Sequence, residues 1–155
     1  MSAIDLTILR LDEDNYDPEL IAPLLKSSLA EGYNLVLRLT ENWESGKNRF
    51  NKPGEALFAA EHEGRILGVG GRSLDPYLDD NKAVRVRHVY VLPDWRGLGV
   101  GAALMEKILD VPPGLFTRAT LRSLNPVARK FYARLGFEAV EDNAVVTHQM
   151  KLEEK

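Results

Sequence analysis

The chain contains no cysteine. That absence excludes disulfides, thiolate metal sites and a cysteine nucleophile, and it agrees with a reducing compartment. Histidine is nearly as scarce: His62, His88 and His148 lie far apart, so no metal-ligand spacing is present and no metal is expected. No apolar run approaches the roughly 18–20 residues that a membrane helix needs. The opening Met1-Ser2-Ala3-Ile4-Asp5-Leu6-Thr7 lacks the basic start and apolar stretch of a signal peptide. Positive charge is not in excess either: 20 Lys+Arg against 23 Asp+Glu give a net charge of −3. That balance argues against nucleic-acid binding by bulk charge. The expectation is a soluble, cytoplasmic protein with neither nucleic acid nor membrane as partner.

The 155 residues are 45% hydrophobic and 28% charged, enough for one domain, residues 1–155, with a substantial core. Leu6–Leu11 reads as a first strand. Asp17-Pro18 supplies an N-cap and a proline at the first helical position, followed by an apolar stripe of Leu20, Ile21, Leu24, Leu25 and Leu29 that stops near Gly32. Pro23 inside that stripe is expected to kink the helix or delay its start. A second helix covers Leu35 to Glu44 and ends near Gly46, and Lys47 to Gly54 is a loop.

Ala56–Glu61 and Arg65–Arg72 form a hairpin around Glu63-Gly64, and Ser73 to Asn81 is a connection. Val84, Val86, His88 and Tyr90 then alternate with Arg85, Arg87, Val89 and Val91, which predicts a strand with His88 and Tyr90 on one face. A helix begins near Leu98 and ends before Pro112-Pro113-Gly114. Leu115–Arg122 is a strand, and Asn125-Pro126 starts a helix that stops at Gly136. Phe137–Val140 and Val145–Lys151 close the chain as strands. The order β-α-α-β-β-β-α-β-α-β-β implies an α/β fold of the α+β kind, a mixed sheet with helices on its faces.

The most informative segment runs from Val89 to Gly101: a strand, a proline turn, and a glycine-rich entry into a helix. Gly97, Gly99 and Gly101 let backbone amides approach a ligand without Cβ atoms in the way. The helix that follows leaves its first N–H groups unpaired, and its dipole favours negative charge. Phosphate is the ligand such a site serves best, with Arg96 at the rim to add a charge-assisted bond. The competing reading is a turn whose glycines serve packing alone.

A second segment, Asn125-Pro126-Val127-Ala128-Arg129-Lys130-Phe131-Tyr132-Ala133-Arg134-Leu135-Gly136-Phe137, decides between them. With Arg96, Gly99 and Gly101, it resembles the GNAT superfamily of acyl-CoA-dependent N-acyltransferases. That family has Arg or Gln, two residues, Gly, one residue, then Gly or Ala, where a helix opens after a strand. Its second block places an Asn at a helix cap, a Tyr seven residues on, and Gly-Phe before the next strand; the chain matches at Asn125, Tyr132 and Gly136-Phe137. The resemblance spans about Leu6 to Lys151 and implies a GNAT-like fold, a central mixed sheet of six or seven strands with one splayed pair and about four helices.

The resemblance also implies roles. Val89, Tyr90 and Val91 would offer main-chain groups to the pantetheine arm of acetyl-CoA, the expected cosubstrate. Gly97, Leu98, Gly99, Val100, Gly101 and Ala102 would wrap its diphosphate. Asn125 would touch it as well as cap a helix. Tyr132 would be the general acid for the departing thiolate, a sound match for a phenol of pKa near 10, and the Val91 N–H would stabilise the oxyanion. The family's usual Glu is missing from Val84–Val91 and Leu115–Arg122, which leaves His88 as the candidate base, with a water chain as the alternative.

The acceptor, a small-molecule or peptide amine, is expected to meet the first two helices and the loop after them. Candidates are Glu31, Tyr33, Arg38, Glu41, Trp43, Glu44, Asn48, Arg49 and Phe50. Family resemblance leaves a homodimer open. Two rivals stand: a non-catalytic acyl-CoA-binding module, and an NADP-dependent oxidoreductase. The latter rests on Gly97-Leu98-Gly99-Val100-Gly101-Ala102, which formally fits a dinucleotide fingerprint. Against it, the motif does not open the chain, and Arg122 and Ser123 stand where an acidic residue belongs.

Overall fold

A computed structural model describes residues 4–152. The first half holds β1 (Thr7–Leu11), α1 (Pro18–Ala30), α2 (Leu35–Ser45), β2 (Ala56–His62), β3 (Arg65–Leu74) and β4 (Ala83–Val91). A short 3-10 turn, Pro93–Trp95, leads to α3 (Val100–Leu109), β5 (Arg118–Leu121), α4 (Pro126–Arg134), β6 (Glu138–Ala139) and β7 (His148–Lys151). The strands form one mixed sheet in the order β1-β2-β3-β4-β5-β7-β6, with four helices on its faces. Only β4 and β5 run parallel; the other neighbours are antiparallel. Among the described residues no helix is long and apolar enough to cross a membrane.

The element order matches the pattern in the sequence, and the differences have local causes. Asp17 caps α1, accepting from Glu19 N at 2.9 Å, and the helix runs on past Pro23 to Ala30 because Ile21, Leu24 and Ser28 bury one face. α3 starts at Val100 rather than Leu98, since Gly97 and Gly99 hold φ of 78° and 90°, outside the helical range. β7 begins at His148 rather than Val145, because Asn143 Oδ1 accepts from Val145 N and Val146 N and holds them in a turn. β5 shrinks to four residues.

Two cores flank the sheet. On the α3 and α4 side, Leu67, Val84, Val86, Leu104, Met105, Ile108, Tyr132 and Phe137 pack together. On the α1 and α2 side, Ile21, Leu24, Val36, Leu39, Trp43, Leu57, Val69 and Tyr90 do so. Arg72 is buried between β3 and the end of α3. Its Nη1 donates to the carbonyls of Lys107, Ile108 and Asp110, and its Nε to that of Gly54. It caps the last turn of α3 in place of water.

β4 carries a bulge that changes the expected alternation. Val69 pairs with Tyr90 and Gly71 with Arg87, so Gly70 faces two residues, His88 and Val89. His88 takes the extra place at φ 57°. Beyond it Val89 and Val91 join Val84 and Val86 on the α3 side, while Tyr90 points into the other core. The predicted set Val84, Val86, His88 and Tyr90 is therefore split, because one inserted residue reverses every later side chain. Space is tight at Gly70: a Cβ there would lie 2.9 Å from Ile108 Cδ1 and 3.0 Å from Val89 Cγ2, so those side chains would have to shift.

The pairing of β4 with its other neighbour stops short of the bulge. β4 and β5 pair only at Ala83–Arg118, Val84–Ala119 and Arg85–Thr120, yet β4 continues to Val91. Below the opening, buried Asp75 binds Arg85 at 3.5 Å and accepts from Thr120 Oγ1, which ties the two strands at their last pair. Beyond that pair no ladder joins β4 to β5, which leaves the edge of β4 up to Val91 unpaired on that side, a gap in the pairing.

Candidate active site

The loop at the upper end of β4 presents a row of donors. No described hydrogen bond takes up the backbone N–H groups of residues 97–102, and the first donor of the helix is Ala103 N, to Gly99 O at 3.0 Å. Gly97 and Gly99 sit in the left-handed region with no heavy atom within 4 Å of an added Cβ, so both stand beside open space. Gly101 differs. Its Cβ position lies 3.4 Å from Phe131 Cζ and faces α4, so this glycine serves helix packing. The loop suits a diphosphate: unpaired amides, a helix N-terminus and no side chain in the way.

The free edge of β4 continues that row. Leu92 N donates toward β3, to Leu67 O at 2.8 Å. Alternation along the strand then turns the N–H and carbonyl of Val91 away from β3, toward the gap. Val91 O already accepts from Arg96 Nε at 2.9 Å, as that direction requires.

Arg96 does not point at the open loop. Its Nη1 and Nη2 hold Glu31 Oε2 and Oε1 at 2.9 and 2.7 Å, and its guanidinium carbon lies 5.3 Å from the Tyr90 ring centre. Glu31 also accepts from Tyr90 Oη, which shares a 2.8 Å bond with Ser27 Oγ. The Arg96 and Tyr90 bonds hold the Glu31 carboxyl below the usual carboxylate range, and Glu31 raises the guanidinium in turn. Burial, then the Glu31 bond, pushes the Tyr90 phenol up. The rim cation expected for phosphate is thus engaged by α1.

Asn125 caps α4 through Val127 N and Ala128 N, at 2.9 and 3.3 Å, and its Nδ2 donates to Tyr33 Oη at 2.8 Å. Capping does not consume the whole side chain. Tyr132 lies on the α3 and α4 side, its ring edge-on to Phe131 and Phe137 at 5.3 and 5.7 Å. Burial pushes its phenol up to about 12, and its hydroxyl makes no described hydrogen bond. The phenol is protonated at physiological pH, and burial makes it a weaker acid than a free phenol.

His88, the expected base, fares differently. Its ring sits edge-on to Phe50 at 6.2 Å, and Nε2 is closed off from solvent without a hydrogen-bond partner among the described residues. Burial, then the charge of Arg87, lowers its pKa to about 3. The ring is neutral at physiological pH but a feeble proton acceptor. Trp43, Asn48, Arg49 and Phe50 serve the fold: Trp43 stacks on Tyr16 at 4.2 Å, Arg49 Nε donates to Trp43 O, and Asn48 Oδ1 accepts from Phe50 N. Arg38, Glu41 and Glu44 are exposed on α2, whereas Glu31 and Tyr33 reach the gap. Spacing alone had no signal for Ser27 or for Tyr90 as a partner of Glu31. Among the described residues no group of acidic and histidine side chains could hold a metal.

The acetyltransferase (GNAT) domain family matches residues 53–139, more than half of the chain. The chain belongs to the GNAT acetyltransferase family. A crystal structure from Exiguobacterium sp. 255-15, provisionally named an acetyltransferase, is 35% identical, covers 96% of this chain and 94% of its own, and superposes with a TM-score of 0.81. An uncharacterized N-acetyltransferase of Mycobacterium bovis is 33% identical over 89 residues. That match covers 56% of this chain and 54% of the relative, so the chain spans about half the length of the curated relatives it matches. A Salmonella typhimurium protein solved with its cofactor acetyl-CoA shares the fold at a TM-score of 0.66 with 16% identity, covering 97% of this chain and 95% of its own.

Proposed function

We propose that this GNAT protein is an N-acetyltransferase that transfers an acetyl group from acetyl-CoA directly to a primary amine of a small molecule or peptide. The observation that carries the reading is the run of unpaired amides at residues 97–102, set where the sheet opens between β4 and β5. When bound, acetyl-CoA supplies an acyl carbon activated as a thioester. The chain's residues do the rest. The amides of 97–102 hold the diphosphate, and the edge from Val89 to Val91 pairs with the pantetheine amides as an added strand would. The Val91 N–H faces the oxygen that gains negative charge.

Tyr132 holds the proton for the departing thiolate. Its raised pKa keeps it protonated across the working range. Water at the mouth of the gap, rather than His88, takes the proton from the amine, since a ring with a pKa of about 3 holds a proton weakly. No protein nucleophile is needed, in keeping with a chain that has no cysteine. The oxidoreductase reading loses its footing, because β4 lies between an antiparallel β3 and a parallel β5 rather than in an opening parallel unit.

The test is acetyl-CoA turnover over a panel of primary amines, read as release of free thiol, in the wild type and Tyr132→Phe. The expected outcome is turnover of at least one amine and a fall in kcat of about 10²-fold in the variant. Binding of acetyl-CoA with no amine acetylated would favour a non-catalytic module. Full activity of Tyr132→Phe would remove the acid from Tyr132.

A further inference from the structure

Glu31, Gly32 and Tyr33 join α1 to α2, and this short connection touches both segments assigned to the coenzyme. Glu31 grips Arg96, which immediately precedes the amides of residues 97–102. Two residues on, Tyr33 Oη accepts from Asn125, the cap of α4. Arg96 follows β4 and Asn125 follows β5, so the two anchors stand on opposite banks of the gap. Gly32, at φ 85°, makes the tight turn that lets neighbouring residues serve both banks.

The place of Glu31 has no explanation within α1. It caps the C-terminal end of that helix, where a negative charge meets the negative end of the dipole. Its partners explain it: Arg96 through two bonds, and Tyr90, itself backed by Ser27. All three guanidinium nitrogens of Arg96 are directed at Glu31 and Val91 O, away from the glycine loop they precede.

We propose that Glu31 and Tyr33 are positioning residues of a strap that holds the diphosphate loop and the start of α4 at a fixed separation across the gap. Within it Arg96 is the clasp of the strap and not a ligand of the phosphate. The coenzyme half of this inference rests on the acetyl-CoA reading; the mechanical half does not.

Two measurements test it. In the free protein, backbone relaxation by NMR at residues 97–102 and in the first turn of α4 reports the strap without any ligand. Glu31→Gln is expected to loosen the former and Tyr33→Phe the latter; unchanged order parameters in both variants would overturn the strap. Calorimetry with coenzyme A then separates clasp from ligand. Glu31→Gln and Arg96→Gln should each weaken binding by about two- to five-fold, the scale of a partly exposed ion pair. The double variant should be no worse than either alone, and Glu31→Arg combined with Arg96→Glu should recover part of the loss. A loss in Arg96→Gln with none in Glu31→Gln would make Arg96 a phosphate ligand and overturn its clasp role. If the wild type binds no coenzyme A, the acetyl-CoA reading fails while the relaxation data still decide the strap.

Discussion

Replacing Gly99 and Gly101 separately with alanine distinguishes a cradle from a packed turn at two positions in one loop. At Gly99 the backbone sits at φ 90° with no heavy atom within 4 Å of a new Cβ. The folded protein therefore meets no clash, only the left-handed strain of an L-residue, about 1–2 kcal/mol. The new methyl group projects into the space where the diphosphate would lie. Loss of one amide-to-phosphate bond, about 1.5–3 kcal/mol for a hydrogen bond to a charged group, weakens coenzyme A binding by roughly 10- to 100-fold. At Gly101 the Cβ turns inward to Phe131 at 3.4 Å, an ordinary contact. Gly101 lies in the first turn of α3, so alanine gains only part of the helix-interior preference of about 0.8–1 kcal/mol; stability is unchanged or slightly higher and affinity stays within about two-fold. Urea denaturation and calorimetry with coenzyme A measure both quantities. Wild-type affinity in Gly99→Ala, or equal losses in the two variants, would refute the placement of the diphosphate on this loop.

His88 makes stability depend on acid. Its folded pKa of about 3 lies below the unfolded value near 6.5, so the native state favours the neutral ring. Its contribution is complete above pH ~6.5 and is lost as the pH falls from there toward 3, as the unfolded chain takes up the proton first. Melting temperature against pH should fall across that window and flatten in His88→Gln; an equal acid slope in the variant would contradict the assignment. His148, also lowered by burial, adds a slope of the same sign. Arg72→Leu should destabilise the protein by about 1–3 kcal/mol, because it removes the donor to the buried Ile108 carbonyl and to the part-buried carbonyls of Gly54 and Lys107. Chemical denaturation checks this, and a change below about 1 kcal/mol would show that water replaces the guanidinium.

Local chemistry made much of this protein legible from its residues. Asp17-Pro18 and Asn125-Pro126 each start a helix, because cap and proline act over three or four neighbours and an apolar stripe follows. Gly97 and Gly99 mark a turn that only glycine adopts easily, and the period of the apolar residues marks the strands and helices around it. Element order and family resemblance followed from these signals, as did the glycine loop proposed to hold a diphosphate.

Other features depend on register and on contacts distant in sequence, and tertiary structure decided them. The bulge at His88 exists because Gly70 faces two residues of β4, and it alone sends Tyr90 into the α1 side. The gap exists because β4 leaves β5 after Arg85. Arg96 reads in sequence as a phosphate partner, but Glu31, 65 positions away, reaches it first. Asn125 meets Tyr33 across 92 positions. A side chain's neighbours along the chain set its backbone shape; which charge it meets depends on how the sheet brings distant segments together.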